Sequence, residues 1–365
     1  MVLLLKFGVK KLQKRGKNGV KWLTKNTSHD ILNLWKKVIN QKEVFVLQKH
    51  YTMFSNLSQE RYFDIGENAN TRTLKRVAIH KGYNVPIIKN LLELGENKKA
   101  LNIEQCGTFL EIVHDEAGSE RIKNSNFCRE RLCSVCAWRR QARFLATTEP
   151  ALQLIDADYA NKAQYIFLTL TVRNCKGDEL SDTITQLLRA WDRLYKRKPF
   201  ATYSLGGIRS CEVTYNTADN TYHPHLHVLL LMRNSYFNKA NIIDNYKLSI
   251  LWENALQVDY TPITYMQAIK QNAAGADEQM SAVLETIKYT LKTKEYAISA
   301  DVTSTLMKAL KGRRLISFSG IIARKRAELK AGDIYTDLND DISPTLQARS
   351  ILYSFTAAGW QIVER

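Results

Sequence analysis

Alternating apolar and polar residues predict three β-strands in the middle of the chain. Apolar side chains recur at every second position from Ile166 to Val172. This period of two is typical of a strand with one buried face. Similar patterns over residues 208–215 and 222–230 predict two more strands, and the Asn, Asp and Thr residues of 216–221 predict a hairpin loop between them.

Segments of helical periodicity alternate with these strands. Apolar residues recur every three or four positions over residues 179–195, 238–255 and 277–294, which predicts three helices. Residues 315–321 and 353–363 predict further strands. Strands interleaved with helices indicate an α+β fold. We expect an antiparallel β-sheet with helices covering one face and the other face open to a ligand.

The chain divides into four segments by composition. Its 365 residues are enough for two domains or for one elaborated domain. Residues 1–100 predict a basic N-terminal region, either a mobile arm or a small helical unit, and residues 101–150 hold four of the six cysteines. Residues 151–325 carry most of the strands and helices above, and residues 326–365 are expected to complete that domain.

A large excess of positive charge indicates a polyanionic partner. The chain has 53 Lys and Arg against 36 Asp and Glu, a formal net charge of +17. The basic residues are spread along the chain, which favours nucleic acid over a membrane surface. Apolar runs are too short for a membrane span, and the apolar residues after Met1 are too few for a signal peptide. We therefore expect a cytoplasmic protein with no membrane partner.

Three of the seven histidines lie within five positions of one predicted strand. Because alternate side chains share a face, His223, His225 and His227 point the same way and can share a cation. If the hairpin closes symmetrically about residues 218 and 219, Glu212 lies opposite His225. Two imidazoles and a carboxylate suit Mg²⁺ or Mn²⁺ acting as a Lewis acid. The simpler interpretation of Glu212 is a cross-strand charge partner.

The predicted helix over residues 277–294 carries a second set of chemical groups. Glu285 and Tyr289 are four residues apart and are neighbours on one helix face, while Lys288 and Lys292 flank the tyrosine. Ammonium groups and a metal-polarised phosphate would make the phenol a plausible nucleophile. Taken alone, the segment is also consistent with an exposed helix that carries Glu–Lys pairs.

Four cysteines have a spacing suited to structural zinc. Cys106, Cys128, Cys133 and Cys136 follow the pattern C-x21-C-x4-C-x2-C. Disulfides are disfavoured in a cytoplasmic chain, and the remaining alternative is a buried thiol beside a chance CxxC. Nearby arginines would keep the thiolates ionised and are expected to face DNA phosphates: Arg129, Arg131, Arg139 and Arg140.

Three motifs resemble, in order, those of the HUH endonucleases. They are residues 167–174 (FLTLTVRN), 223–229 (HPHLHVL) and 285–292 (ETIKYTLK). The chain resembles the rolling-circle replication initiators of small plasmids of Gram-positive bacteria. Residues 127–140 (FCRERLCSVCAWRR) also resemble the cysteine motif that precedes the nuclease core in that family.

The resemblance implies an HUH nuclease fold and an enzyme that nicks origin DNA. His225 and His227 would be metal ligands, and Tyr289 would form a 5′-phosphotyrosine link and leave a 3′-OH primer. In this branch of the family, Glu285 would activate water at termination. Residues of the first motif expected to contact DNA are Thr169, Thr171 and Asn174. The implied partners are origin DNA, single-stranded DNA, and a host helicase and DNA polymerase.

Two other functions are consistent with parts of this pattern. A single-tyrosine HUH transposase or mobilisation relaxase would share the metal and tyrosine chemistry. The pairing of Glu285 with Tyr289 and the preceding cysteine motif argue against it. A non-catalytic, zinc-stabilised DNA-binding regulator would use the basic surface, but it would leave the histidine strand and the tyrosine without a role.

Overall fold

A computed structural model describes residues 71–114, 120–269, 297–331, 349–356 and 359–363, together with positions 282, 283 and 286. They all belong to one structural unit, Ser55–Arg365. In chain order, the elements are α1 (Arg72–Glu93), α2 (Asn97–Gln105), β1 (Phe109–His114), β2 (Glu120–Ser125), α3 (Ser134–Asp158), β3 (Ala163–Thr171), α4 (Leu180–Tyr195), α5 (Phe200–Tyr203), β4 (Ser204–Asn216), β5 (Thr221–Arg233), a 3₁₀ turn (Asn234–Phe237), α6 (Asn245–Leu256), β6 (Thr264–Ala268), α7 (Ala300–Ala309), β7 (Ile316–Ser319), α8 (Gly320–Ala331), β8 (Arg349–Thr356) and β9 (Gly359–Ile362).

A five-stranded antiparallel sheet forms the centre of the described structure. Its strand order is β6–β3–β5–β4–β7. Strands β4 and β5 form the predicted hairpin, and the turn between them lies within the predicted loop. The predicted α+β class with an antiparallel sheet is confirmed, and the arrangement fits the HUH nuclease fold that the resemblance implies.

The two faces of this sheet are covered to different extents. Leu226, Val228 and Leu230 of β5 point to one face and belong to a core that includes α4 and α6. On the opposite face, Leu229 and Leu231 pack against α3 and α8. Because these leucines follow the histidines at every second position, described residues cover the expected open face beyond its histidine end.

A second antiparallel sheet lies beside the cysteine segment. Its strand order is β2–β1–β8–β9, and Leu110 of β1 pairs with Tyr353 of β8. The C-terminal strands therefore extend this sheet and not the sheet that carries the histidines. A pairing between segments so distant in sequence leaves no local pattern from which to predict it.

Helices α1 and α2 share a core with the segments that follow them. Leu74 and Leu91 of α1 belong to the same buried cluster as Cys106 and Leu168. Residue 100, at which the sequence suggests a boundary, lies inside α2. The division into domains stays a prediction.

Local chemistry explains where one helix begins and where one strand ends. Helix α6 begins at Asn245, later than predicted, because Asp244 caps it by accepting a hydrogen bond from Lys247 N at 2.7 Å. Strand β7 ends at Ser319 because Gly320, with φ of +56°, turns the chain into α8. Among the described residues, every helix is too short or too polar to cross a membrane.

Candidate active site

The β4–β5 hairpin brings Glu212, His225 and His227 together. Glu212 pairs directly with His225, as the symmetrical hairpin predicts. Oε2 of Glu212 lies 3.7 Å from Nε2 of His225 and 3.5 Å from Nε2 of His227. Two ligand atoms each about 2.1 Å from an ion are at most about 4.2 Å apart. Both separations from Glu212 are within this limit, and all three ligand atoms lie within 4.8 Å of one another, which suits a shared cation.

The two histidine rings are oriented by their Nδ1 atoms. Nδ1 of His225 lies 3.1 Å from the carbonyl oxygen of His223, and it must donate because a carbonyl oxygen only accepts. In this tautomer the Nε2 lone pair of His225 can bind a metal. Nδ1 of His227 lies 3.3 Å from the hydroxyl of Thr169. Both rings thus present Nε2 to the carboxylate.

Burial favours a cation in this cluster. Glu212 is 4% exposed, and His225 and His227 are each 9% exposed. A carboxylate in such a position is costly unless a cation or several hydrogen bonds compensate its charge. The donor set of two imidazoles and one carboxylate fits a divalent ion such as Mg²⁺ or Mn²⁺, although it does not select between them.

His223 lies beside this cluster and not within it. Its ring stacks on that of His225 at 5.2 Å between centroids, and its Nδ1 lies 2.8 Å from Oδ1 of Asn174. Asn174 in turn donates to the hydroxyl of Thr221 at 3.0 Å. Burial, and then the neighbouring His225, lowers the pKa of His223. These contacts suit a residue that supports the ligands.

The polar residues of the first motif bond to groups within the protein. Thr169 contacts His227, as above, and the exposed Asn174 holds His223. The hydroxyl of Thr171 donates to the carbonyl oxygen of Ile263 at 2.8 Å, and Thr171 is 9% exposed. The DNA contact expected of Thr171 stays a prediction, and in the described structure its hydroxyl is bonded within the protein.

The helix expected to carry the nucleophile is described at three positions. Residues 282, 283 and 286 are helical, and Val283 packs in one cluster with Ile208 and Leu229. Since Leu229 is two positions after His227, this cluster lies on the histidine face of the sheet. The predicted catalytic residues of the same segment lie outside the described residues: Glu285, Lys288, Tyr289 and Lys292.

The four cysteines predicted to bind zinc meet at one point. Their Sγ atoms lie within 4.8 Å of one another. The Sγ atom of Cys136 is 3.5 Å from that of Cys106 and 3.7 Å from that of Cys128. Four sulfurs about 2.3 Å from a tetrahedral zinc would be about 3.8 Å apart. All six cysteines are free thiols, so the cluster fits a zinc site with four thiolate ligands.

Backbone amides surround the cysteine sulfurs. The N–H of Cys128 donates to Sγ of Cys106 at 3.4 Å, and the N–H of Arg129 donates to Sγ of Cys136 at 3.2 Å. The pKa of Cys136 is lowered by hydrogen bonds from the thiols of Cys106, Cys128 and Cys133, and also by the hydrogen bond from the N–H of Arg129. Arg129 has φ of +61°, in the left-handed region. This environment favours the thiolate form of Cys136.

Two buried residues of α1 complete the cysteine site and were not predicted. Asn84 donates to Sγ of Cys133 at 3.5 Å and accepts from the N–H of Ser134 at 2.7 Å. Lys81 donates to the carbonyl oxygen of Cys106 at 3.2 Å, and burial lowers the pKa of Lys81. Polar residues three positions apart on an apolar helix face are the signal that would have found them.

The arginines expected to face DNA have different surroundings. Arg129 is exposed. Arg131 donates to a backbone oxygen at 2.7 Å, and Arg140 donates to the carbonyl oxygen of Arg131 at 3.1 Å. Arg139 is 9% exposed, and its guanidinium lies 4.2 Å from the ring centre of Phe127. The DNA contact expected of Arg139 stays a prediction, and in the described structure its side chain packs within the cysteine segment.

Comparison with known proteins identifies similar chains. Residues 119–359 match the family model described as Replication protein. The chain is 36% identical over 264 residues to "Protein rep" of Streptococcus pneumoniae serotype 2 (strain D39 / NCTC 7466), a match covering 69% of this chain and 81% of that protein. It is 34% identical over 246 residues to "Protein rep" of Lentilactobacillus hilgardii, covering 65% and 77%, respectively. It is 34% identical over 255 residues to "Protein rep" of Bacillus amyloliquefaciens, a match covering 65% of this chain and 74% of that protein. No solved structure matches this chain.

Proposed function

The chain belongs to the Replication protein family of rolling-circle plasmid initiators, and we propose that it nicks one strand of the plasmid origin by a metal-dependent transesterification. The observation that carries this proposal is the buried cluster of Glu212, His225 and His227, whose side chains share one face of the sheet. A regulator that only binds DNA has no need of such a cluster. The nicked origin would supply the primer for a host DNA polymerase, with a host helicase separating the strands.

We assign the metal to these three side chains. Bound there, Mg²⁺ or Mn²⁺ would polarise the scissile phosphate as a Lewis acid. Glu212 supplies the anionic ligand, and His225 and His227 supply neutral Nε2 atoms that are oriented through Nδ1. Three protein ligands would leave positions on the ion for phosphate oxygens, and the leucines that cover this face begin beyond the histidines.

We assign the nucleophile to Tyr289. Its phenolic oxygen would attack the scissile phosphorus, the bond from phosphorus to the 3′ oxygen would break, and the proton lost by the phenol would balance the one that the 3′ oxygen takes up. One phosphodiester is exchanged for a phosphotyrosine ester, so no nucleotide cofactor is needed. Lys288 and Lys292 would stabilise the developing negative charge. The packing of Val283 on the histidine face supports this assignment, because it puts the beginning of the same predicted helix on the side of the sheet that carries the metal cluster.

We assign termination to Glu285. One helical turn before Tyr289, its carboxylate could take a proton from water that attacks the same phosphate. This route would release the protein at the end of a round without a second tyrosine. The zinc proposed at the four cysteines would have a structural role, because all four positions are occupied by protein sulfurs. An activity on plasmid DNA would take place in the cytoplasm.

The proposal is tested by nicking of supercoiled plasmid that carries the cognate origin. We expect open circles with Mn²⁺ or Mg²⁺, no nicking in EDTA, and recovery when either ion is restored. A plasmid of equal size without the origin is the control and should stay supercoiled. Nicking at the normal rate in chelator would contradict the metal assignment, and origin binding without nicking under all conditions would support the regulator instead.

A further inference from the structure

One row of paired residues crosses the sheet from the candidate metal site to its edge. Ser210 of β4 pairs with His227 of β5, His227 pairs with Thr169 of β3, and Thr169 pairs with Tyr265 of β6. Directly paired residues share a face of an antiparallel sheet. Tyr265 therefore lies on the histidine face, two strands from His227, which corresponds to about 10 Å.

Tyr265 and its neighbour Ile263 are exposed on this face. Tyr265 is 48% exposed and Ile263 is 78% exposed. The residues on either side of Tyr265 point to the opposite face, where Met266 accepts a hydrogen bond from the Tyr236 hydroxyl and packs against the main core. The hydroxyl of Tyr265 donates to Oε1 of Gln267 at 2.8 Å, which restricts the ring without covering it. Packing among the residues that the structure describes therefore does not account for either exposed side chain.

A cation and a second aromatic ring lie at the adjoining end of β3. The guanidinium of Arg173 is 4.1 Å from the ring centre of Tyr260, and the N–H of Arg173 donates to the Tyr260 hydroxyl at 2.9 Å. Arg173 is exposed and follows Thr171, which bonds to Ile263. An exposed aromatic ring near a cation, on a protein of net charge +17, is suited to a nucleic acid strand.

We propose that Tyr265 is a base-stacking residue for the single-stranded DNA that enters the metal site, with Ile263 beside it and Arg173 near the backbone. The inference rests on the proposed function, since it treats the edge of the sheet as part of the same DNA path. A base has an apolar face of the size of the tyrosine ring, and stacking of this kind tolerates any sequence. The ring would fix a nucleotide a few positions from the phosphate at His227 and so position the strand.

The test measures binding in EDTA, so that it does not depend on nicking. The probes are a fluorescent oligothymidylate about 16 nucleotides long and an abasic oligomer of the same length and charge. We expect Tyr265→Ala to weaken oligothymidylate binding about 5- to 100-fold and to leave binding of the abasic oligomer unchanged. Tyr265→Phe should bind both probes as the parent does, because it keeps the ring.

The matched control is Tyr246→Ala. Tyr246 is 74% exposed and lies in α6, which packs on the opposite face of the sheet, so its loss should change neither probe. Equal weakening of both probes by Tyr265→Ala, or no weakening of either, would overturn the proposal. So would a parent protein that does not prefer oligothymidylate to the abasic oligomer. A protein that shows the expected binding but never nicks would refute the proposed catalysis and leave the stacking role intact.

Discussion

Glu212 and His225 face each other across the β4–β5 hairpin, with Oε2 of Glu212 3.7 Å from Nε2 of His225. This relationship depends on the register of the two strands. A slip of one residue would turn Glu212 to the apolar face and would separate it from both histidines. The length of the turn therefore determines whether the candidate metal site exists.

The metal site predicts a graded response to substitution. We expect His225→Ala and His227→Ala each to reduce nicking more than about 100-fold, because each removes a ligand. Glu212→Gln keeps the shape but loses the charge, and it should raise the Mn²⁺ concentration needed for half-maximal nicking. His223→Ala is the control from the same strand face, and we expect it to have a smaller effect. Nicking assays over a metal titration measure these differences, and a loss with His223→Ala as large as with His225→Ala would contradict the assignment of ligands.

The cysteine cluster predicts roughly one tightly bound zinc per chain. Cys133→Ser should lose the metal and lower the free energy of unfolding by about 3 kcal/mol or more, since metal binding and folding are coupled. Cys175→Ser is a suitable control, because Cys175 is also buried but lies outside the cluster, and it should keep its zinc. Elemental analysis and urea denaturation provide the measurements. Folded parent protein that contains no zinc would refute the site.

His80 predicts a pH dependence of stability. Burial, with a contribution from Arg76, lowers the pKa of His80 from 6.5 to about 4. As the pH falls below 6.5, the unfolded chain takes up a proton that the folded chain does not, so stability that is fully present above pH 6.5 is lost toward pH 4. His80→Phe keeps the stacking on Trp138, whose ring centre is 5.5 Å away. Between pH 6.5 and pH 4, the free energy of unfolding of His80→Phe should fall by about 2 kcal/mol less than that of the parent.

Urea denaturation of the parent and His80→Phe across this pH range tests that expectation. Any release of zinc at low pH occurs in both proteins, so the difference between their profiles isolates His80. Parallel profiles would show that His80 takes up its proton equally in the folded and unfolded states.

The proposed role of Glu285 separates initiation from termination. We expect Glu285→Ala to nick and to become covalently attached to DNA, because Tyr289 performs that step. It should fail to release unit-length circles and should accumulate overlong single strands, because it lacks the base for hydrolysis. Gel analysis of the replication products measures the DNA attached to protein, the unit-length circles and the overlong single strands. Normal termination by Glu285→Ala, with a defect in Tyr296→Phe instead, would assign termination to a second tyrosine.

The histidine site could be predicted from the sequence because its parts are local. The histidines share one strand, and the short loop after residue 216 fixes which residue of β4 lies opposite His225. The cysteines likewise lie within 31 positions, from Cys106 to Cys136. The alternation of residues along a strand and the spacing of the cysteines are sufficient to predict a site when its residues are this close in the chain.

Contacts between distant segments could not be predicted in the same way. Asn84 reaches Cys133 from a helix in a region whose fold the sequence left open, and β8 pairs with β1 across more than half the chain. The guanidinium of Arg139 packs on the ring of Phe127, and Phe127 lies outside the helix that carries Arg139. An arginine pattern alone does not distinguish packing of this kind from phosphate binding.

The most direct test of the account is to map the covalent link between protein and DNA. The protein is incubated with origin DNA and Mn²⁺, denatured and digested, and the peptide that carries a nucleotide is identified by mass spectrometry. We predict a single 5′-phosphotyrosine at Tyr289, absent from Tyr289→Phe and present in Tyr296→Phe. A link at another residue, or nicked DNA with no attached peptide, would contradict the proposed transesterification.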